Sequence, residues 1–202
     1  PDGAAHPAII VEDAVLAMGA LAREVVRRVR GHSPTTVIGI TGSAGKTTTK
    51  DLLAALLATQ GPTVAPVGSY NGEVGVPLTV FRAELDTRFL VVEMGADHVG
   101  NIAYLCDLVR PDIGVVLMVG TAHAGSFGGV ANIARTKGEL VEALGPDGVA
   151  VLNLDDERVA GMAARTAAPI TWFTADERGV ARAAEIECVA MARCTSTKFV
   201  VQ

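Results

Sequence analysis

The sequence lacks the features of a membrane-spanning, exported or disulfide-stabilised protein. Its longest apolar run, Ile113 to Val119, is far shorter than the roughly 18 residues needed to cross a bilayer. No signal peptide stands at the start, and the three cysteines (Cys106, Cys188 and Cys194) are odd in number and lack metal-ligand spacing. These absences predict a cytoplasmic protein whose thiols are reduced and structural.

Concentrated positive charge is missing as well. The chain of 202 residues has a net charge of -5 and no basic run, so it lacks the electrostatic footprint of a protein that binds nucleic acid or an anionic membrane. Any anion must therefore bind at a local site. Repeats and low-complexity segments are also absent, and a hydrophobic content of 50% is enough for one ordinary globular core.

The most informative stretch is TVIGITGSAGKTTTK, residues 36 to 50. An apolar, β-branched run ends at a glycine-rich turn, and a lysine and three threonines then open a segment with helical spacing. The glycines allow backbone N–H groups to approach an anion, the helix N-terminus adds positive potential, the lysine reaches terminal phosphates and the first threonine binds Mg²⁺. The predicted phosphate-binding residues are Gly42, Ser43, Ala44, Gly45, Lys46, Thr47 and Thr48.

The spacing of this loop is G-x-x-G-K-T. It departs from the usual G-x-x-x-x-G-K-[ST], because Ile40 stands five residues before Gly45. The alternative interpretation is a short turn that joins a strand to a helix by accident. The order of strand, turn, lysine and hydroxyl is the one that phosphate binding needs, and it favours the phosphate loop.

The helices on either side of the loop are predicted from their apolar faces. Asp13 is expected to cap a helix over residues 14–30, whose terminal arginines are expected to be solvated. The helix after the loop is expected to turn four leucines inward: Leu52, Leu53, Leu56 and Leu57.

Strands alternate with helices throughout. This order predicts an α/β fold with a mainly parallel sheet covered by helices on both faces, and a C-terminal β-hairpin over residues 183–191 and 196–201. Polar side chains follow three predicted buried strands, namely Glu93, His123 and Asn153. Ligands gather at the carboxyl ends of strands in such folds, so Glu93 is a candidate Mg²⁺ ligand or water-holding acid, and His123 is competent to bind a metal.

Four other polar residues have both a functional and an ordinary interpretation. Asn71, at the tip of the loop GSYNGEVGVP, could contact a ligand or form an Asn-Gly turn. His98, in MGADHVG, could belong to the site or be a solvated loop residue. Asp155 and Asp156 could line the site, although capping of the next helix is the interpretation that we favour.

Lys137 lies on the predicted apolar face of a helix over residues 130–144. A lysine in that position loses hydration unless its stem snorkels or its ammonium meets an anion, and its pKa should fall. One interpretation is therefore a snorkelling stem. The other is a desolvated amine beside the phosphates, acting as a cation or, when neutral, as a nucleophile that takes up CO₂ as a carbamate.

Six motifs in order resemble the central ATP-binding domain of the Mur ligase family: TGSAGKTTTK, YNGEVGVPLT, VVEMGADHVGNI, GTAHAGSFG, IARTKGEL and VLNLDD. The short G-x-x-G-K-T loop is the form that this family uses. The resemblance implies that residues 1–34 are the end of an N-terminal UDP-sugar-binding domain or a linker, that residues 35–202 are the central ATP-binding domain, and that a C-terminal ligase domain is absent. Since the first residue is Pro1, we expect a piece of a longer protein.

The asparagine loop that ends in GVP and the EMGADH run indicate which reaction is implied. It is the ATP-dependent addition of D-alanyl-D-alanine to UDP-N-acetylmuramoyl-tripeptide through an acyl phosphate, in peptidoglycan precursor synthesis. A fragment of this kind is expected to be a monomer that binds nucleotide weakly and ligates nothing alone. The alternatives are another Mur-type or folylpolyglutamate-type ligase, and a P-loop nucleotide-binding module without ligase activity.

The resemblance also implies roles for the residues that match the family motifs. Lys46 and the loop amides would hold the β- and γ-phosphates of ATP, Thr47 and Glu93 would bind one Mg²⁺, and His123 would bind a second. Lys137 matches a lysine that is carbamoylated in related ligases. The implied catalytic groups are Lys46, His123 and Lys137.

Three further residues would contact ligands by the same resemblance. Asn71 and His98 would face the phosphates or the peptide substrate, and Asn153 would face the nucleotide. Together these assignments predict that a glycine loop, an acid, an imidazole and an amine from distant parts of the chain meet around one magnesium-bound triphosphate.

Overall fold

The structure is a computed structural model that describes residues 9–121 and 127–175. The strands are Thr36–Thr41 (β1), Thr63–Val64 (β2), Phe89–Glu93 (β3), Ile113–Val116 (β4), Val149–Asn153 (β5) and Ile170–Phe173 (β6). The helices are Ala14–His32 (α1), Lys46–Ala58 (α2), Gly75–Val80 (α3), Asn101–Val109 (α4), Val130–Glu142 (α5) and Glu157–Ala160 (α6), the last continued by a 3₁₀ turn over Gly161–Arg165. The predicted C-terminal hairpin, Cys188, Cys194 and His123 lie outside the described residues.

The strands form one sheet in the order β2-β3-β1-β4-β5-β6, and every pair is parallel. The chain leaves β1 toward β2 and β3 on one side and then returns to β4 on the other side. A crevice opens at the carboxyl ends of strands where the direction of winding changes in this way. The predicted parallel α/β fold is therefore confirmed, and its switch point lies between β3, β1 and β4.

Helices cover both faces of the sheet. On one face, Ile38 and Ile40 of β1 pack against Leu53 and Leu57 of α2. On the other face, α1, α4 and α5 enclose the larger core, whose fully buried members include Ala22, Leu90, Leu105, Leu140 and Leu152. No helix in the described part of the chain is long and apolar enough to span a membrane.

Of the four leucines of α2 that were predicted to face the sheet, two do so and two do not. Leu53 and Leu57 pack against the sheet, but Leu52 and Leu56 are 64% and 59% exposed. The helix instead buries Lys50, whose ammonium donates to the carbonyl of Pro66 at 3.0 Å and pairs with the neighbouring Asp51. Because α2 lies flat on the sheet, only one narrow row of its side chains faces inward.

The capping of α1 is confirmed, whereas the solvation expected of its last arginine is wrong. Asp13 accepts hydrogen bonds from the N–H groups of Val15 and Leu16 at 2.8 and 3.0 Å. Arg30 donates to both carboxylate oxygens of Asp112, at 3.1 and 2.8 Å, just before β4. The end of α1 is thus fixed to the edge of the sheet opposite the crevice.

Candidate functional site

The glycine-rich loop runs from the end of β1 to the start of α2. Gly45 has φ +82°, a left-handed conformation that side chains other than glycine rarely adopt. A Cβ atom at Gly42 would lie 2.9 Å from the Cβ of Leu117 and 3.1 Å from the carbonyl oxygen of Ala44. Steric constraints therefore favour glycine at both predicted positions. Without side chains there, the loop backbone can approach a ligand closely.

The loop is fixed to the segment that follows β4. Ser43 N donates to the carbonyl of Met118 at 2.9 Å, and Ser43 Oγ accepts from Gly120 N at 2.8 Å. Lys46 lies at the start of α2 and donates to the carbonyl of Gly42 at 2.9 Å. No side chain of the described residues caps the start of α2, so the N–H groups of its first turn are available to an anion.

Glu93, Thr47 and Asn71 form a hydrogen-bonded group beside the loop. Glu93 ends β3 and is 1% exposed. Its Oε2 accepts from Thr47 Oγ1 at 2.9 Å, and its Oε1 accepts from Asn71 Nδ2 at 2.8 Å. Within residues 9–121 and 127–175, both partners are neutral and no cation pairs with this carboxylate. A buried carboxylate in that state favours a bound cation.

Asn71 is positioned by its backbone as well as by its side chain. Its carbonyl accepts from Gly95 N at 2.7 Å. A Cβ atom at Gly95 would lie 2.7 Å from Asn71 Oδ1, so the close contact between the two loops requires glycine there. The sequence allowed Asn71 to be either a ligand contact or part of an ordinary Asn-Gly turn. In the structure the side-chain amide of Asn71 contacts the carboxylate of Glu93.

A cavity of about 650 Å³ opens in front of this group. Its wall includes Lys46, Asn71, His98 and Lys137, which come from four separate segments of the chain. Such a volume falls within the range of small-molecule and cofactor sites, roughly 300–1,000 Å³. Gly42 and Ser43 of the loop also line the cavity, so the structure brings together six of the predicted site residues. Glu93 joins two predicted residues by accepting from both Asn71 and Thr47.

Lys137 is buried in the cavity wall and is only 7% exposed. Burial lowers its pKa from 10.5 to about 8, and the positive charge of Lys46 contributes in the same direction. Among the described residues, no acceptor or anion pairs with its ammonium. The sequence prediction that this lysine loses hydration is therefore confirmed.

His98 and Asn153 occupy different environments. His98 lies at the cavity rim with its side chain 66% exposed, and its Nδ1 is 2.6 Å from Asp97 Oδ1. Asn153 does not belong to the part of the cavity wall that the structure describes. Its Nδ2 donates to the carbonyl of Leu117 at 2.8 Å and its Oδ1 accepts from Asp155 N at 2.9 Å. This amide therefore connects the segments that follow β4 and β5.

The two aspartates after β5 have different structural roles. Asp156 caps α6 by accepting from the N–H groups of Arg158 and Val159, as the sequence favoured. Its second oxygen accepts from Val119 N at 2.7 Å. Asp155 caps none of the helices that the structure describes; its carboxylate accepts from Ala175 N at 2.8 Å beyond β6.

Three polar residues of the cavity region, Glu73, Asn101 and Glu139, were not among the predicted site residues. Asn101 is 6% exposed and donates to Glu73 at 2.8 Å, while Glu139 is 7% exposed and binds the start of α4. Their partners lie 28 to 39 residues away in the chain. The local signal available was the position of Glu139 two residues after Lys137 on a buried helix.

The described residues contain no cluster of three or more histidine, cysteine, aspartate or glutamate side chains able to hold a metal ion. Thr47 and Glu93 offer a smaller set of possible metal ligands, their side-chain oxygen atoms. A Mg²⁺ ion that also binds phosphate oxygens and water needs only one or two such protein ligands.

A glycine loop that leads from a central parallel strand into an uncapped helix, beside a hydroxyl and a buried acid, defines a P-loop nucleotide-binding domain. Comparison with known families identifies which one. The Mur ligase middle domain matches residues 40–199. The chain belongs to this family.

Named relatives agree with this assignment. Over 158 residues the chain is 52% identical to the UDP-N-acetylmuramoyl-tripeptide–D-alanyl-D-alanine ligase of Mycobacterium tuberculosis (strain ATCC 25618 / H37Rv), covering 78% of this chain and 31% of the relative. A crystal structure of MurF from Acinetobacter baumannii superposes with a TM-score of 0.77 at 34% identity, covering 86% of this chain and 37% of that one. MurF ligase from Thermotoga maritima in complex with ADP gives 0.73 at 36% identity, covering 82% and 38%. The chain thus spans about a third of the length of the curated relatives it matches.

Proposed function

We propose that this chain is the ATP-binding part of a longer cytoplasmic ligase that joins D-alanyl-D-alanine to UDP-N-acetylmuramoyl-tripeptide in peptidoglycan precursor synthesis. The observation that carries the proposal is the arrangement of Thr47, Glu93 and Lys137 around the glycine loop. A simple nucleotide switch needs no buried amine facing its phosphate loop. The names of the relatives supply the substrates.

The chain's own groups suit phosphoryl transfer from ATP to a carboxylate. That reaction brings two anions together, so it depends on positioning and on fixed positive charge. The backbone N–H groups of Ala44 and Gly45, the start of α2 and Lys46 would provide that charge at one end of the cavity, whereas the N–H of Ser43 is already bonded to Met118. Lys46 already lies across the loop, bonded to Gly42, where the terminal phosphates would be held.

The oxygen atoms beside the loop fit Mg²⁺. The Thr47 hydroxyl and the Glu93 carboxylate are hard oxygen ligands 2.9 Å apart, and the carboxylate is buried without a described cation. Bound there, the metal would neutralise charge on the β- and γ-phosphates. Thr47 and Glu93 would hold the ion, and Asn71 would keep the carboxylate in its present orientation. His123 is proposed as a ligand of a second Mg²⁺.

Lys137 would act near the reacting groups. With a pKa of about 8, about a tenth of its amines are neutral at pH 7 and half at pH 8. The neutral amine can attack the carbon of CO₂ and release one proton, which gives a carbamate. The protonated form would instead screen the charge of the phosphates.

The remaining proposed contacts concern the substrates. Asn71 and His98 would face the phosphates or the peptide, since both lie in the cavity wall. Asn153 would support the nucleotide site indirectly, because its amide already binds Leu117 and Asp155.

The test uses the full-length protein with ATP, Mg²⁺ and UDP-N-acetylmuramoyl-tripeptide. We expect phosphate release with D-alanyl-D-alanine, and none with glutamate or without an amine. His123→Ala and Lys137→Ala should abolish turnover, whereas His32→Ala and Arg135→Ala remove side chains from exposed helix positions and should leave it unchanged. Turnover that survives both of the first two substitutions would instead favour a nucleotide-binding module.

A further inference from the structure

The start of α4 is capped by a residue from another helix. Its N-cap residue, Gly100, has φ +99° and no side chain to offer. The buried carboxylate of Glu139 instead accepts from Gly100 N at 2.7 Å and from Ala103 N at 3.0 Å. A capping box normally satisfies these same two N–H groups with two side chains of one helix. α4 is therefore fixed to α5, the helix that carries Lys137.

The side chain of Asn101 then joins two loops at the cavity wall. Its Oδ1 accepts from Asp97 N and His98 N, each at 3.1 Å. Its Nδ2 donates to Glu73 Oε1 at 2.8 Å. Three of the four hydrogen-bonding positions of the amide are thus used. This buried side chain thus adds a second connection between the loop after β3 and the loop before α3, beside the bond from Gly95 N to the carbonyl of Asn71.

These contacts form a continuous path around the cavity. Glu73 lies two residues after Asn71 in the same loop, Asn71 donates to Glu93, and Glu93 accepts from Thr47. The path begins at α5 beside Lys137 and ends at the first turn of α2. Its links are polar and lie at the carboxyl edge of the sheet, so packing of the apolar core does not by itself fix the two loops.

We propose that Asn101 is a positioning residue. Its bond to Glu73 holds the loop of Asn71 at a fixed distance from the loop of His98. The proposal rests on the ligase function proposed above, because the two loops matter to turnover only if nucleotide and peptide meet between them. A displacement of about 1 Å at a reacting group lowers a rate on the order of 100-fold. Loosening this contact should therefore reduce kcat.

Asn101→Asp tests the contact in the full-length protein. The new carboxylate keeps the acceptor for Asp97 N and His98 N, but it loses the donor and faces the negative charge of Glu73. We expect kcat for ligation to fall about tenfold or more, with a change in the KM for ATP of less than about threefold. Hydrogen exchange should accelerate in both loops.

A second substitution should restore the contact. In Asn101→Asp/Glu73→Gln, the side-chain amide can donate to the carboxylate, so the hydrogen bond returns with donor and acceptor exchanged. Recovery of most of kcat is expected. Glu73→Gln alone measures the separate contribution of that carboxylate, and Gln60→Glu makes the same amide-to-carboxylate change at an exposed position after α2.

Two results would overturn the positioning role. One is an unchanged kcat in Asn101→Asp, and the other is a double variant no better than the single one. If the kcat of Asn101→Asp equals the wild-type value after correction for the fraction of folded protein, that also counts as an unchanged kcat. If the unsubstituted protein does not ligate D-alanyl-D-alanine at all, the ligase proposal fails first and removes the premise of this one.

Discussion

Replacement of Lys137 by methionine should stabilise the fold while it abolishes turnover. The structure lowers the pKa of this amine from 10.5 to about 8, chiefly through burial. Because a tenfold change in an acid constant corresponds to about 1.4 kcal/mol, the buried ammonium destabilises the folded state by about 3 kcal/mol at pH 7. Methionine keeps the apolar stem and removes the charge, so we expect a gain of about 2–3 kcal/mol, or an increase in Tm of about 5–10 °C.

The pH dependence of this gain has a definite sign. The unfolded chain keeps the lysine proton up to about pH 10.5, whereas the folded chain loses it near pH 8. Between these values the unfolded state binds more protons, so the stability of the unsubstituted protein rises with pH. The advantage of Lys137→Met should therefore be full below pH 8 and vanish near pH 10.5. Contributions from Cys106, whose pKa burial raises to about 12, are common to both proteins and cancel.

The assay is urea denaturation across this pH range in CO₂-depleted buffer, which keeps the amine unmodified. Arg135→Met is the matched control, because it removes a positive charge from an exposed position of α5 and should change the free energy of unfolding by less than about 0.5 kcal/mol. A variant less stable than the unsubstituted protein at pH 7, or a gain that does not change between pH 8 and 10.5, would refute the burial argument.

Two further predictions concern buried carboxylates. Glu93→Gln keeps an acceptor for the Thr47 hydroxyl but removes the charge, so titration calorimetry of the full-length protein should show that Mg²⁺ no longer strengthens ADP binding. Glu139→Ala leaves the N–H groups of Gly100 and Ala103 without their described partner, and urea denaturation should show a loss of about 2–4 kcal/mol.

Glu142→Ala provides the control for both. This residue lies on α5 and pairs with Arg165, but its side chain is 49% exposed, so its removal should cost less than about 1 kcal/mol and leave Mg²⁺ binding intact. An equal loss in Glu142→Ala and Glu139→Ala would contradict the role of burial. Mg²⁺-dependent ADP binding that persists in Glu93→Gln would contradict the proposed metal site.

The parts of the fold that could be predicted are those whose sequence pattern lies within one continuous stretch of the chain. The start of α1 was predicted correctly, because Asp13 directly precedes the apolar pattern of the helix and caps it. The phosphate loop and the buried state of Lys137 were likewise predictable. Each depends on a local pattern.

The orientation of α2 and the hydrogen bonds from buried side chains to distant backbone groups could not be predicted. The stretch LLAALL of α2 is apolar throughout, so its pattern does not say which leucines face the sheet, and Leu52 and Leu56 proved to be exposed. Asn101 and Glu139 bind backbone N–H groups, and every residue type except proline carries such groups. No residue pattern at the partner position could therefore have revealed these bonds.

The cap that Glu139 provides for α4 has a consequence for the order in which the protein forms. During synthesis, residues 101 to 109 are made before residue 139 is added. Until then the first turn of α4 has neither a side chain of its own at Gly100 nor the carboxylate that later serves it. Completion of α4 is therefore coupled to the emergence of α5, and the wall of the cavity assembles only after the chain that carries Lys137 has been made.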